Sequence, residues 1–269
     1  LPQTIIVVAP TTGALEYIEL SPRLTDMQDF VIRDDGEILV SDGVQGLVSV
    51  SALDGTWQQR FAPAAFGGTA PSALALAPNG DLLVAGMFGI MRLVSSTGAP
   101  QQVSTVSFVF PPQGLTTDGG ANVWVAGEQL LRVDPVTGVA TPLIVCCSGY
   151  SVPLGLGTLH RGPDGFLYVV NSPGGGGPSR RANNGVFRID PVTGESSVQR
   201  KGSFMVSFAF DASGTDWVCS ADNISLTPYG GFLEGAGLRV LLDNRGPVAI
   251  VPPGVTSPAR RSTWGALKQ

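Results

Sequence analysis

The chain has 269 residues, 43% hydrophobic and only 14% charged, a balance that excludes an intrinsically disordered protein and admits one large all-β domain. Its net charge of −5, with no Lys/Arg run longer than the pairs Arg180-Arg181, Arg200-Lys201 and Arg260-Arg261, excludes a nucleic-acid partner, which needs a concentrated basic footprint. No apolar run reaches the ~18 residues of a spanning helix, so no membrane span is expected.

In chain order, the first signal is the apolar run from Ile5 to Ala9 with its Thr11-Thr12-Gly13 turn, followed by a second strand over Leu15–Leu20. These two segments match only the second half of a unit that the rest of the chain repeats. Its copies read FVIRDDGEILVSDG from Phe30, LALAPNGDLLVAGM from Leu74, LTTDGGANVWVAGE from Leu115, LHRGPDGFLYVVNS from Leu159 and FAFDASGTDWVCSA from Phe208. Their turn glycines, Gly36, Gly80, Gly120, Gly165 and Gly214, are 44, 40, 45 and 49 residues apart, the period of a propeller blade. The second strand of each unit (Ile38–Val40, Leu82–Val84, Val123–Val125, Leu167–Val170) is continuously apolar, as a strand covered on both faces must be.

A third strand follows in each unit, over Leu47–Val50, Met91–Val94, Leu131–Val133, Val186–Ile189 and Leu238–Val240. From the second copy onward it mixes apolar residues with an Arg, which suits a position nearer solvent. Turns such as AspProValThrGly at 134–138 and 190–194 then fold the chain back into a fourth strand. The expected fold is therefore all-β, a β-propeller of six blades with four antiparallel strands each; the alternative is five full blades plus a terminal half-blade. The propeller is placed at residues 1–250. Residues 1–20 form a half-blade that closes with the C-terminal region or with another chain, and residues 251–269 form a tail or closing strand, Ser262–Lys268 being the candidate.

The Asp-Gly turn before LeuTyrVal and the ArgIleAspProValThrGly run at 188–194 resemble the NHL-repeat propellers. That group includes streptogramin (virginiamycin B) lyase-like and gluconolactonase-like proteins. The resemblance covers residues 27–250 and implies the fold; fold alone does not carry function.

Two long excursions, residues 171–185 and 221–236, break the period on the channel-mouth face, where binding loops collect. The first is Gly-rich at 174–177 but lacks the Lys-Ser/Thr of a phosphate loop, so it reads as a loop. Arg180 and Arg181 beside it can grip a carboxylate or sulfate, or stand solvated. Tyr229 and Phe232 in the second can stack on a sugar or a partner, or pack their own loop. With Asn171 and Asp222 these residues form the candidate site for a carbohydrate or peptide ligand.

The gluconolactonase resemblance implies a divalent metal at the channel mouth held by Glu, Asn and Asp oxygens. Asp42, Glu128, Asn171 and Asp222 end second strands here, with Asp29 and Gln113 entering first strands nearby. Such oxygens would suit Ca²⁺ or Mg²⁺. Strand-end capping is the commoner work of these residue types, so no cofactor is the first expectation. A lyase would also need a general base. The sole histidine, His160, is placed toward the opposite end from the long loops and reads as a turn or packing residue.

Cys146-Cys147 reads either as buried thiols or as a vicinal disulfide, and a bond to Cys219, two units away, is disfavoured. An intersubunit bond by the odd thiol stays open. A first residue of Leu, low Lys content and abundant Ser, Thr and Gly point to a processed, secreted protein of the extracellular space, periplasm or cell surface. Together these features favour a non-catalytic structural or interaction module whose partner is a protein, itself included, assembling by strand exchange into a polymer or filament. The alternative is a metal-dependent lyase or lactonase-like enzyme at the channel mouth.

Overall fold

The computed structural model describes residues 4–8, 15–33, 35–94, 98, 100–118, 122–143, 156–171, 185–201, 205–210, 216–220, 227–229, 238–242 and 248–250. The chain begins with β1 (Thr4–Val8) and β2 (Leu15–Glu19), then makes a sheet from β3 (Met27–Ile32), β4 (Ile38–Asp42), β5 (Gly46–Val50) and β6 (Trp57–Phe61). A short 3-10 turn at Pro63–Phe66 leads to β7 (Ala73–Leu76), β8 (Leu82–Gly86), β9 (Gly89–Leu93) and β10 (Pro100–Ser104). The next unit contains β11 (Gly114–Thr117), β12 (Val123–Ala126), β13 (Leu130–Val133) and β14 (Ala140–Pro142). After it come β15 (Leu156–Arg161), β16 (Leu167–Asn171), β17 (Gly185–Ile189) and β18 (Ser196–Lys201). The last strands are β19 (Met205–Phe210), β20 (Asp216–Ser220), β21 (Thr227–Tyr229), β22 (Leu238–Leu242) and β23 (Val248–Ile250).

Each hairpin is antiparallel, and the turns between first and second strands carry the repeat's glycine at positive φ, 86° at Gly36, 82° at Gly80 and 83° at Gly165. A side chain there would force a left-handed backbone on an L-residue, so the sequence period is a period of tight turns. The second strands are buried at every position in β4, β8 and β12, while the fourth strands β6 and β10 are largely exposed.

The reason is that alternate residues of a second strand face two different neighbours. Ile38 and Val40 of β4 pack into the core beneath the preceding sheet with Ile5, Ile18 and Phe30, whereas Leu39 packs with Leu74, Leu82 and Val84 of the following one. Leu83 and Ala85 of β8 likewise meet Leu115, Val123 and Val125, and Trp124 and Ala126 of β12 meet Leu159, Leu167 and Val169. The series continues where Tyr168, Val170 and Val186 pack on Phe208. Each such side chain contributes about 1.5–3 kcal/mol when fully buried, so inter-sheet packing is the main stabilising force.

Among the described residues there are six sheets, five of four strands and one of three (β19, β20, β21). Their innermost strands neighbour one another in a closed circuit, β3 beside β7, β7 beside β11, β11 beside β15, β15 beside β19, β19 beside β23 and β23 back beside β3. This is a six-sheet propeller.

The closing sheet has the order β2-β1-β22-β23, with β1 the third strand and β2 the fourth, and β1 pairs with β22 through Ile5↔Leu241 and Ile6↔Val240. Two expectations are corrected here. Leu238–Val240, read as the third strand of the fifth unit, lies in the second strand of the closing sheet, and β21 takes that third place from inside a segment read as a loop. The inner half of the closing sheet comes from 238–250, and its two strands run in reversed order, outer before inner. The candidate closing strand Ser262–Lys268 lies outside the described residues.

Candidate functional site

Register fixes which strand ends share a face. Met27 of β3 sits opposite Asp42 of β4, and Gly114 of β11 opposite Ala126 of β12, so ends of second strands, starts of first strands and the connections between sheets collect at one face. Asp42, Glu128 and the backbone of Asn171 all lie there.

Asp42 is fully buried, and both carboxylate oxygens are occupied by backbone donors. Oδ2 accepts from the N–H groups of Thr25 at 3.0 Å and Asp26 at 2.8 Å, and Oδ1 from those of Val44 at 3.0 Å and Gln45 at 2.8 Å. One side chain thereby ties the connection entering β3 to the β4–β5 turn. This is strand-end capping of the kind expected of Asp. Glu128, on the β12–β13 turn, accepts the Phe110 N–H at Oε1, 2.5 Å away. Gln113 is exposed, and its backbone N–H donates to the Ala126 carbonyl at 2.9 Å. Among the described residues, no three His, Cys, Asp or Glu side chains come together in one cluster.

Asp29 does different work. Its Oδ2 accepts the N–H of Leu74 on the neighbouring sheet's innermost strand at 2.7 Å, and its Oδ1 the N–H of Phe30 at 2.8 Å. Its own backbone is gripped by Ser41, whose Oγ accepts the Asp29 N–H at 3.0 Å and donates to the Asp29 carbonyl at 3.2 Å. Burial between two sheets pushes its carboxyl from 3.8 up to about 7, against the pull of the two backbone bonds. Three units on, Thr158 holds the same slot before Leu159 and accepts the Phe208 N–H at 3.2 Å. The slot is a latch between neighbouring innermost strands, ionisable at one seam and neutral at another.

His160 belongs to β15 itself rather than to the turn after it, and it pairs with Tyr168 across the hairpin. Its ring meets Phe208 edge-on at 6.1 Å, and Tyr168 stacks on the same Phe208 at 5.7 Å. Desolvation holds the imidazole down at about 4, so it is a neutral packing group near neutral pH. This agrees with the packing role expected of it.

Tyr229 requires a correction. It ends β21 opposite Asp216, the first residue of β20, so its backbone lies at the face away from the ends of second strands. The structure therefore does not bring it beside Asn171. The reason is that Thr227–Tyr229 forms a third strand and carries the chain across the sheet instead of looping at the mouth. The side chains of Asn171 and Tyr229, the residues Arg180, Arg181, Asp222 and Phe232, and the cysteines Cys146 and Cys147 lie outside the described residues. Cys219 is placed in β20 by its backbone.

Sequence reasoning missed a polar cluster on the opposite face. Glu37 accepts from Arg33 Nη1 at 2.9 Å, from Ser49 Oγ at 2.8 Å and from Arg60 Nη2, beside an open cleft of about 650 Å³. Burial pushes the Glu37 carboxyl up, but the Arg60 and Ser49 hydrogen bonds and the two guanidinium charges outweigh it and leave it below the ordinary range. Similar pairs recur on later sheets, Asp81 with Arg92 at 3.8 Å and Asp164 with Arg188 at 2.9 Å. On those later sheets the third-strand arginines Arg92 and Arg188 were the signal; Arg33, just after β3, and Arg60, in β6, lie outside that pattern, and their pairing with Glu37 depends on hairpin register.

No family model matches the sequence, and no curated protein matches it either. Among solved structures, virginiamycin B lyase from Staphylococcus aureus is similar at 14% identity and a TM-score of 0.55, with 88% of each chain covered. A streptogramin B lyase structure is similar at 16% identity and a TM-score of 0.53, covering 89% of this chain and 84% of that one. The extracellular domain of a protein described as a hybrid two component system from B. thetaiotaomicron matches at 16% identity and a TM-score of 0.53, covering 94% of this chain but 30% of that one. The chain thus spans less than a third of that domain. The described residues contain no helix long and apolar enough to cross a membrane. What these likenesses establish is the fold: a β-propeller of the type found in the streptogramin lyases.

Proposed function

We propose that the chain is a secreted, non-catalytic β-propeller that serves as a structural or interaction module and assembles with its own copies by exchanging the half-sheet Thr4–Glu19. The observation that carries this reading is the closing sheet, in which β1 hydrogen-bonds to a strand more than two hundred residues away in sequence. A pairing made between such distant segments can be made between two molecules with the same register, which is the chemistry of domain swapping. A head-to-tail exchange closes to a ring or runs on as a filament. The non-catalytic part is supported by how the described candidates are engaged: Asp42 on four backbone donors, Glu128 on Phe110 and His160 against Phe208. Secretion is supported by the likeness to an extracellular domain.

Light scattering across a concentration series tests the proposal. Multimers should grow with concentration and vanish when residues 1–20 are deleted. Monomers at every concentration would contradict self-assembly.

The second reading, a metal-dependent lyase or lactonase-like enzyme at the channel mouth, is favoured by the similarity to virginiamycin B lyase over 88% of both chains. It predicts stoichiometric Ca²⁺ or Mg²⁺ by elemental analysis, lost in the Asn171→Ala and Asp222→Ala variants. A carbohydrate or peptide ligand held by Asn171, Arg180, Arg181, Asp222 and Phe232 belongs with the interaction module. Its test is a glycan array, read with and without the Arg180→Ala/Arg181→Ala change.

A further inference from the structure

The face that carries Asp42 and Glu128 also turns apolar side chains outward. Val44 on the β4–β5 turn, Met87 on the β8–β9 turn, and Val109 and Phe110 on the β10–β11 connection are exposed, the last two at 75% and 66%. Single exposed apolar residues are ordinary; two adjacent large ones on a braced loop are not.

The bracing is explicit. Phe108, one residue earlier, is buried in the core shared by the β7–β10 and β11–β14 sheets. Ser72 Oγ donates to the Pro112 carbonyl at 2.6 Å, Gln113 N–H to the Ala126 carbonyl at 2.9 Å, and Phe110 N–H to Glu128 Oε1 at 2.5 Å. Pro111 and Pro112 fix two further φ angles. The loop is therefore anchored on both neighbouring sheets while its tip is offered to solvent. A pre-ordered aromatic anchor loses little conformational freedom on binding, which is what makes such residues dominate interfaces.

Charge narrows the partner. From Leu93 to Leu131 the chain has no Lys or Arg; of its two acids, Asp118 lies in the β11–β12 turn at the opposite face, while Glu128 stands beside Phe110. The whole chain carries −5. An acidic neighbour complements a basic rim and repels an anionic surface.

We propose that Val109 and Phe110 form a docking knob for a partner protein that presents an apolar segment flanked by Lys or Arg. This contact uses neither β1 nor β2 and is independent of strand exchange.

The test uses the full chain as bait for a displayed random-peptide library, with counter-selection on the Val109→Ser/Phe110→Ser variant. Enriched peptides should combine an apolar centre with Lys or Arg, and bind the double variant and Phe110→Ala at least about tenfold more weakly. Affinity should also fall in Glu128→Gln and with added salt. Both altered side chains are exposed, so an unchanged thermal midpoint certifies the fold. Failure to enrich any peptide, enrichment of peptides without basic residues, equal affinity for the double variant, or Phe110-dependent adsorption to phosphatidylcholine vesicles in place of peptide binding would each overturn the proposal.

Discussion

Asp29 and His160 are both innermost-strand residues, and burial shifts their protonation in opposite senses. Asp29 holds its proton up to about 7 when folded and to 3.8 when unfolded, so its contribution to stability is full below 3.8 and is lost as pH rises toward 7. His160 takes a proton only near 4 when folded but at 6.5 when unfolded, so its contribution is full above 6.5 and is lost as pH falls toward 4. Between 4 and 6.5 the two slopes oppose each other, and the intact chain should show a nearly flat pH profile from this pair. Urea denaturation across that window should give Asp29→Asn a stability that rises with pH, and His160→Gln one that falls, each by about 1–3 kcal/mol. Parallel profiles for wild type and both variants would contradict the burial assigned to these groups. Asp42→Ala, which strands four backbone donors, should cost about 3 kcal/mol or more in the same assay.

At the scale of elements, the turns carry their own caps. Asp190 Oδ1 accepts the N–H of Val192 at 2.7 Å and Thr193 at 3.1 Å, and Asp134 does the same for Val136 and Thr137 at identical distances. Asp190→Ala should therefore lower the unfolding midpoint slightly, without moving the fold. These turns, the continuously apolar second strands and the glycines at 36, 80 and 165 were legible because their causes are local: a positive φ, a fixed turn, alternate residues facing two neighbours. Leu238–Val240 was misplaced because the same apolar-Arg pattern fits a third strand or a second one, and only its distant partner Ile5–Val8 decides between them. Thr227–Tyr229 was missed because three residues including a Pro give no periodic signal. The candidate site was legible as a face but not as chemistry. In sequence Asp42 reads as a strand-end cap or as a cation ligand, and only the fold reveals the four backbone donors it accepts from; the latch made by Asp29 and Thr158 needs the neighbouring sheet to be visible at all.

For the whole molecule, closure of the ring is the decisive structural event. Ile5 and Ile18 of the half-sheet are buried with Phe30, Ile38 and Val40, so β1 and β2 are seated by core packing as well as by hydrogen bonds. Ile5→Ala should cost about 2–4 kcal/mol by leaving a cavity there, and it should weaken any exchanged assembly to the same degree because both states bury the same side chain. The most direct measurement is a cysteine pair at the registered positions Ile6 and Val240, introduced as Ile6→Cys/Val240→Cys with Cys146, Cys147 and Cys219 changed to Ser. After oxidation and size separation, mass spectrometry of each fraction under denaturing conditions reads where the bond has formed. The account predicts that the introduced disulfide lies within one chain in monomers and joins successive chains in multimers; no bond in either fraction, or multimers made only of internally bonded chains, would contradict it.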